Sequence, residues 1–146
     1  MMQFKDEYEW LSNFSDCEIE YEGIKYPSVE HFYVAMKTTD PKIRSEISEL
    51  PTSGKAKRFG RKLEKEGMVR PEWEDLKVSI MKFALDEKYS QEPYKSLLIE
   101  TGDIEIQEGN MWGDTFWGID LESGEGRNTL GKMIMKIRKK LRKEQF

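Results

Sequence analysis

The stretch from Cys17 to Lys37 constrains this chain more than any other. Cys17-Glu18-Ile19-Glu20-Tyr21 alternates apolar and polar residues, as does Ile24-Lys25-Tyr26. Glu22-Gly23 between them predicts a hairpin with a two-residue turn, with glycine where a positive φ is needed. Tyr26-Pro27 breaks the strand pattern, and Ser28 is a good N-cap for a helix running through Lys37. Glu30 then lies in the first turn. Lys37, seven residues on, lies about 20° from it around the axis at roughly 100° per residue. A carboxylate and an amine thus share one face, with the only histidine, His31, and the aromatics Phe32 and Tyr33 between them. Each also has an ordinary reading. Glu30 complements the helix dipole, His31 is a satisfied structural histidine, and Lys37 is solvated. The rest of the chain decides between the two.

Further helices follow from caps and periodicity. Thr39-Asp40-Pro41 predicts a cap with proline in the first turn, opening a short helix through Ile43 and Ile47 that ends at Pro51. Thr52 or Ser53 caps a helix with Ala56, Phe59, Gly60 and Leu63 on one face and Lys55, Lys57, Arg58, Arg61 and Lys62 on the others. That basic face is either solvated or an anion site, since arginine makes two-pronged contacts to phosphate oxygens. Pro71 opens the longest mid-chain helix, with a stripe of Trp73, Leu76, Ile80, Phe83 and Ala84 and with Met81 beside it. Gln91 to Leu98 forms another, stopped at Thr101-Gly102. Ile104 and Ile106 suggest a short strand. The loop from Glu108 to Gly118 holds Trp112, Asp114 and Trp117 among glycines. Its tryptophans either pin a structural turn or offer faces for a planar base. Asn128 is the candidate N-cap of a last helix carrying Leu130, Met133, Ile134, Ile137 and Leu141. Its basic end, Lys136 to Lys143, reads as a solvated, dipole-complementing tail. These segments predict an α+β, mainly helical single domain over 1–146, with a small N-terminal hairpin and short strands.

Composition removes several function classes. At 146 residues with 12% aromatic content, the chain can bury one core despite its 36% of charged residues. A net charge of −4 argues against broad affinity for nucleic acid or membranes. One cysteine, Cys17, excludes an internal disulfide and fits a reducing, cytoplasmic setting. One His and one Cys cannot build a zinc site of that type within one chain, so neither metal nor cofactor is expected. No segment nears the roughly 18 apolar residues of a membrane span, and Met1 to Tyr8 is too polar for a signal peptide.

An ordered set of motifs resembles a known family. Trp10-Leu11-Ser12-Asn13-Phe14 comes first, then Glu30-His31-Phe32-Tyr33 through Lys37, then Ala56-Lys57-Arg58-Phe59-Gly60-Arg61. Trp73, Met81, Lys88-Tyr89, Leu97-Leu98 and Thr101-Gly102 follow. Glu108, Asn110, Trp112-Gly113-Asp114, Trp117-Gly118, Gly126, Asn128, Leu130-Gly131, Met135 and Arg138 close it. Across nearly the whole chain this resembles the YbiA-like, or NADAR (NAD- and ADP-ribose-associated), proteins. Trp10 stands where they usually have Phe, and Val34 replaces a frequent Gln. The resemblance implies the YbiA-like fold and an N-glycosidase. Its substrate would be a small phosphorylated nucleotide-type molecule, either a riboflavin-pathway ribose phosphate or an ADP-ribosylated guanine. It places Glu30, Lys37 and Asp114 in the catalytic group and Trp73, Trp112 and Trp117 as base-stacking candidates. Asn13, Phe14, His31, Tyr33, Lys57, Arg58, Arg61 and Asn128 become candidate substrate contacts.

The chemistry fits. Cleaving an N-glycoside builds positive charge at the anomeric carbon and negative charge on the leaving nitrogen. A carboxylate handles either task. A lysine, Lys37 before Lys57, is a candidate for direct attack and a Schiff base. The alternatives are a module that binds ADP-ribose or a nucleotide without turnover, and a small interaction protein with tryptophan-rich loops.

Overall fold

The structure, a computed structural model, describes residue 4 and residues 6–145. Apart from Phe4, the polar opening from Met1 to Lys5 lies outside them. Contacts within the chain fall into two compact units. One is Asn13–Lys88; the other joins the segment through Ser12 to the chain from Tyr89 onward.

In the Asn13–Lys88 unit, β1 (Asp16–Tyr21) pairs antiparallel with β2 (Ile24–Ser28), with Ile19 opposite Tyr26. Both turn residues are left-handed, Glu22 at φ 48° and Gly23 at φ 82°. That is the pairing whose twist suits a two-residue hairpin. Ile19 and Tyr26 point into the core. The strand runs on through Pro27 to Ser28 instead of breaking there. A two-stranded sheet has only edge strands, where a missing N–H costs little.

Helix α1 (Val29–Ala35) follows at once, and Ser28 Oγ caps it by accepting from His31 N at 3.1 Å. The helix is shorter than predicted: Met36 is its C-cap and Lys37 lies in the turn beyond. Its buried face packs Phe32 edge-on against Tyr21 and Tyr26, centroids 5.6 Å apart in each pair. Helix α2 (Pro41–Ser48) is capped by Asp40, and α3 (Ser53–Lys65) by Thr52. Helices α1 and α3 pack at Gly60, where a Cβ would lie 3.0 Å from Val34 Cγ2.

Helix α4 (Trp73–Tyr89) starts two residues after Pro71 and buries a different stripe from the predicted one. Trp73, Met81, Ala84, Leu85 and Lys88 are inside. Leu76 and Ile80 are half-buried and Phe83 is exposed at the rim, its ring 5.7 Å from Tyr21 and 5.5 Å from Phe32. Apolar character marks both faces, and tertiary packing decides which is buried. Lys88 goes into the core with the buried face, and burial pushes its amine down to about 7. Burial also pushes the Cys17 thiol up.

In the other unit, a short 3-10 helix (Asp6–Leu11) precedes α5 (Tyr94–Glu100), with Gly102 at φ 65° just beyond its end. The predicted strand at Ile104 and Ile106 is reduced to a single β-bridge at Ile106, which is buried, while Ile104 is exposed. The pairing lies later, where β3 (Gly109–Asn110) runs parallel to β4 (Ile119–Asp120). Helix α6 (Thr129–Glu144) buries Leu130, Ile134 and the guanidinium-bearing Arg138, which donates to Thr101 Oγ1 at 2.9 Å. No described helix is long and apolar enough to cross a membrane.

Candidate active site

The site in the Asn13–Lys88 unit is built where α1, α3 and the start of α4 meet. Glu30, in the first turn of α1, is half-buried. Its backbone N donates to Asn13 O at 3.1 Å, tying the Asn13-Phe14 loop to the helix start. Burial pushes the Glu30 carboxyl above the ordinary carboxylate range; the cations of Lys57, Lys37 and Arg61 pull the other way. Glu30 is therefore a carboxyl held partly out of water, with three cations acting on it.

Lys37 is 8% exposed. Its Nζ donates to Glu64 Oε1 at 2.6 Å and lies 5.7 Å from the centre of the Tyr33 ring and 5.8 Å from that of Trp73. Those two rings meet edge-on at 5.0 Å, so the amine sits in an aromatic corner. Gly60 leaves room for it, since a Cβ there would come within 3.5 Å of Nζ. Lys37 lies outside the helix, in the turn after Met36, and its charge is one of the three cations that act on Glu30.

Helix α3 supplies the cations. Lys57 and Arg61 are one turn apart, and Lys57 Nζ lies 5.9 Å from the ring centre of Phe14. Arg58 is exposed, a third of a turn from Lys57. Asn13 Nδ2 points at Met81 Sδ at 3.8 Å, while its Oδ1 is buried without a hydrogen-bond partner. His31 is brought to this helix for another purpose. Its Nε2 lies 3.0 Å from Leu50 O, which can only accept, so Nε2 carries the proton. Nδ1 then accepts from Ser28 Oγ at 2.7 Å, and Ser53 Oγ donates on to Ser28 Oγ at 3.0 Å. With burial pushing its pKa down and both nitrogens engaged, His31 braces the cap and presents nothing to a ligand.

The other unit holds the remaining predicted residues. Asn110, 1% exposed, organises the tryptophan loop: Oδ1 accepts from Asp114 N at 2.9 Å and Trp112 N at 3.3 Å, and Nδ2 donates to Asp114 O at 2.8 Å. Asp114 Oδ1 in turn accepts from Phe116 N at 3.1 Å and Trp117 N at 3.0 Å. The loop is thereby stiffened while Trp112 stands 67% exposed; Trp117 is half-buried. A Cβ on Gly118 would overlap Glu108 O and crowd Asn110 Nδ2, so the chain must be bare there. Asn128 occupies the N-cap position of α6 but makes no capping bond. Its Oδ1 accepts from Glu108 N and its Nδ2 donates to Ile106 O, both at 2.9 Å, stitching the loop base.

Two residues were missed by the sequence reading. Glu64 sits on the same α3 face as Lys57 and Arg61, at a spacing of seven from Lys57. Only the cations of that face were counted. Asn110 was noted in the motif without a role.

The family model described as "NADAR domain" matches residues 1–142. The chain belongs to the NADAR domain family. Among NADAR relatives, it is 34% identical over 137 residues to the Escherichia coli N-glycosidase YbiA, covering 93% of this chain and 83% of that protein. It is 35% identical over 133 residues to a riboflavin biosynthesis protein of Vibrio vulnificus. That match takes in 90% of this chain but spans only about a third of the relative's length, 35%. The NMR structure of Escherichia coli YbiA superposes with a TM-score of 0.83 at 32% identity, over 99% of this chain and 86% of that one. The mainly helical α+β fold with its small hairpin is thus that of the NADAR family.

Proposed function

We propose that this chain is an N-glycosidase that hydrolyses the bond between a ribose phosphate and a planar nitrogenous base. The observation that carries the reading is the Glu30 carboxyl, half-buried and raised by that burial, facing Lys57, Lys37 and Arg61. A pure binding site for a phosphorylated sugar needs the cations but has no use for a desolvated carboxyl among them. The names of its relatives, N-glycosidase and riboflavin biosynthesis protein, point the same way.

The residues divide by chemistry. Glu30 in its acid form protonates the leaving nitrogen. Lys57 and Arg61 take the substrate phosphate, with Arg58 at the exposed margin. The Tyr33 and Trp73 rings, with Phe14 and Asn13 at the loop, border the sugar and base. Lys37 is the nucleophile, held within reach of Glu30's field. In the other unit, Asp114, Trp112 and Trp117 stay candidates on the family resemblance alone. Asn128 and His31 hold structure for them. The substrate is an amino-pyrimidine ribose phosphate of the riboflavin pathway, with ADP-ribosylated guanine as the other base-ribose linkage of the same kind. The lone cysteine fits a cytoplasmic setting.

Incubation with each N-glycoside, followed by chromatography of the released base, tests this. Release of the free base by wild type and not by Glu30→Gln supports the reading. Tight binding of either compound without release would make the chain a binding module.

A further inference from the structure

An ammonium has no lone pair, so Lys37 cannot attack carbon until it gives up a proton. Its Nζ makes one hydrogen bond among the described residues, to Glu64 Oε1 at 2.6 Å. The Lys37 side chain is 10% exposed, whereas that of Glu64 is 56% exposed. The amine is therefore buried against Tyr33, Trp73 and the bare backbone of Gly60, and its carboxylate partner opens to water. Glu64 lies near the end of α3, one helical face along from Arg61 and Lys57. Nothing in a phosphate-binding face calls for an acid there.

We propose that Glu64 is the positioning residue for Lys37: it holds the amine in the aromatic corner and accepts its proton as the nucleophile attacks. This rests on the reading of Lys37 as nucleophile. The two carboxylates of the site then carry opposite tasks. One Lys37 N–H bond breaks and the proton passes to Glu64. The freed lone pair forms a bond to the anomeric carbon. The bond from that carbon to the base breaks, and its electron pair goes to the base nitrogen, which takes the proton held by Glu30. Ring opening of the adduct moves a proton from nitrogen to the ring oxygen and gives a protonated imine; it is reversible. Water then adds to the anomeric carbon, its proton passes to Glu30, and the bond to Lys37 breaks. Glu64 returns its proton to the amine, so every group ends as it began. Water is the only co-reactant.

The test compares wild type, Glu64→Gln, Glu64→Asp and Lys37→Arg on whichever of the two N-glycosides turns over. kcat and KM are measured, and borohydride adducts are mapped by mass spectrometry. Proton transfer by a placed side chain is typically worth about 10²–10⁴-fold. Glu64→Gln should lower kcat about 100-fold with KM within about twofold, and the Lys37 adduct should fall in step. Glu64→Asp, which keeps the carboxylate on a shorter arm, should recover about tenfold of the loss. Wild type that traps on Lys37, with Glu64→Gln trapping as fast at unchanged kcat, overturns the role of Glu64 and leaves Lys37 as nucleophile. An equal loss in Glu64→Asp and Glu64→Gln, accompanied by a lowered melting temperature, overturns it in favour of a structural pairing. No adduct in wild type, or an adduct on Lys57, overturns the nucleophile reading itself.

Discussion

Replacing Glu30 by Gln should cost activity and increase stability, and the two effects have one cause. Glutamine keeps the shape and loses the titrating proton. If Glu30 protonates the leaving base, kcat should fall about 10²–10⁴-fold with KM little changed. At about 1.4 kcal/mol per tenfold, that is roughly 2.7–5.5 kcal/mol of barrier. The stability effect follows from the raised carboxyl. Its ordinary value is 4.5, and burial is the largest influence on it. A group whose folded-state pKa is raised stabilises the fold while protonated, and that contribution is lost as pH rises through the folded value. Glu30→Gln cannot lose it. Its melting temperature should match wild type near pH 4 and exceed it at pH 8. For a chain of this size each kcal/mol corresponds to about 4 °C. Scanning calorimetry across pH, paired with base-release kinetics at the same pH values, reads both effects. A variant with full kcat, or one less stable than wild type at pH 8, would refute the placement of a strained acid at Glu30.

Arg61→Ala should raise KM about tenfold with kcat nearly unchanged, and Arg58→Ala should do so far less, because only Arg61 is among the cations acting on Glu30; steady-state kinetics at low ionic strength would show the reverse order if the phosphate sits elsewhere. Lys88, with its amine lowered to about 7 by burial, should make wild-type stability rise as pH climbs from about 7 toward 10, and Lys88→Met should flatten that slope in thermal melts. Gly118→Ala should destabilise the tryptophan loop, since its Cβ overlaps the Glu108 carbonyl; hydrogen exchange at Trp112 through Trp117 should speed up, and unchanged protection there would refute the close approach. Among the described residues no three of His, Cys, Asp and Glu gather as a metal site. With one His and one Cys unable to build a zinc site of that type within one chain, activity is expected to survive EDTA, tested with a substrate that carries no phosphate.

Local chemistry was legible from the residues alone wherever one short segment decides its own conformation. Ser28 and Asp40 are predicted caps and accept the expected backbone N–H; of the alternatives Thr52 and Ser53, Thr52 does so. Gly23 marked the hairpin turn. A shared helix face does not relate Glu30 to Lys37, because the helix stops at Ala35 and the Lys37 amine pairs with Glu64 on α3. What one segment cannot decide is which of two apolar faces a neighbour will cover. On α4 both faces carry large side chains. Tertiary packing buries Met81, Leu85 and Lys88 and leaves Phe83 exposed beside Tyr21 and Phe32. Long-range pairing is equally invisible in a local pattern: Ile104 and Ile106 alternate like a strand, yet the strand partners are Gly109-Asn110 and Ile119-Asp120. Polar side chains show the same division. His31 and Asn128 carry the residue types of a ligand site, but the carbonyls of Leu50 and Ile106 reach them through tertiary structure and use up their bonds. Glu64 is the converse case. On the sequence it is one more charge on a solvated helix end; only the close approach of α1 to α3 at Gly60 sets it 2.6 Å from the Lys37 amine. The sequence alone determined which groups carry protons and charge, because that is a property of the residue. Tertiary structure decided which of them are desolvated and paired, because that depends on what packs against them.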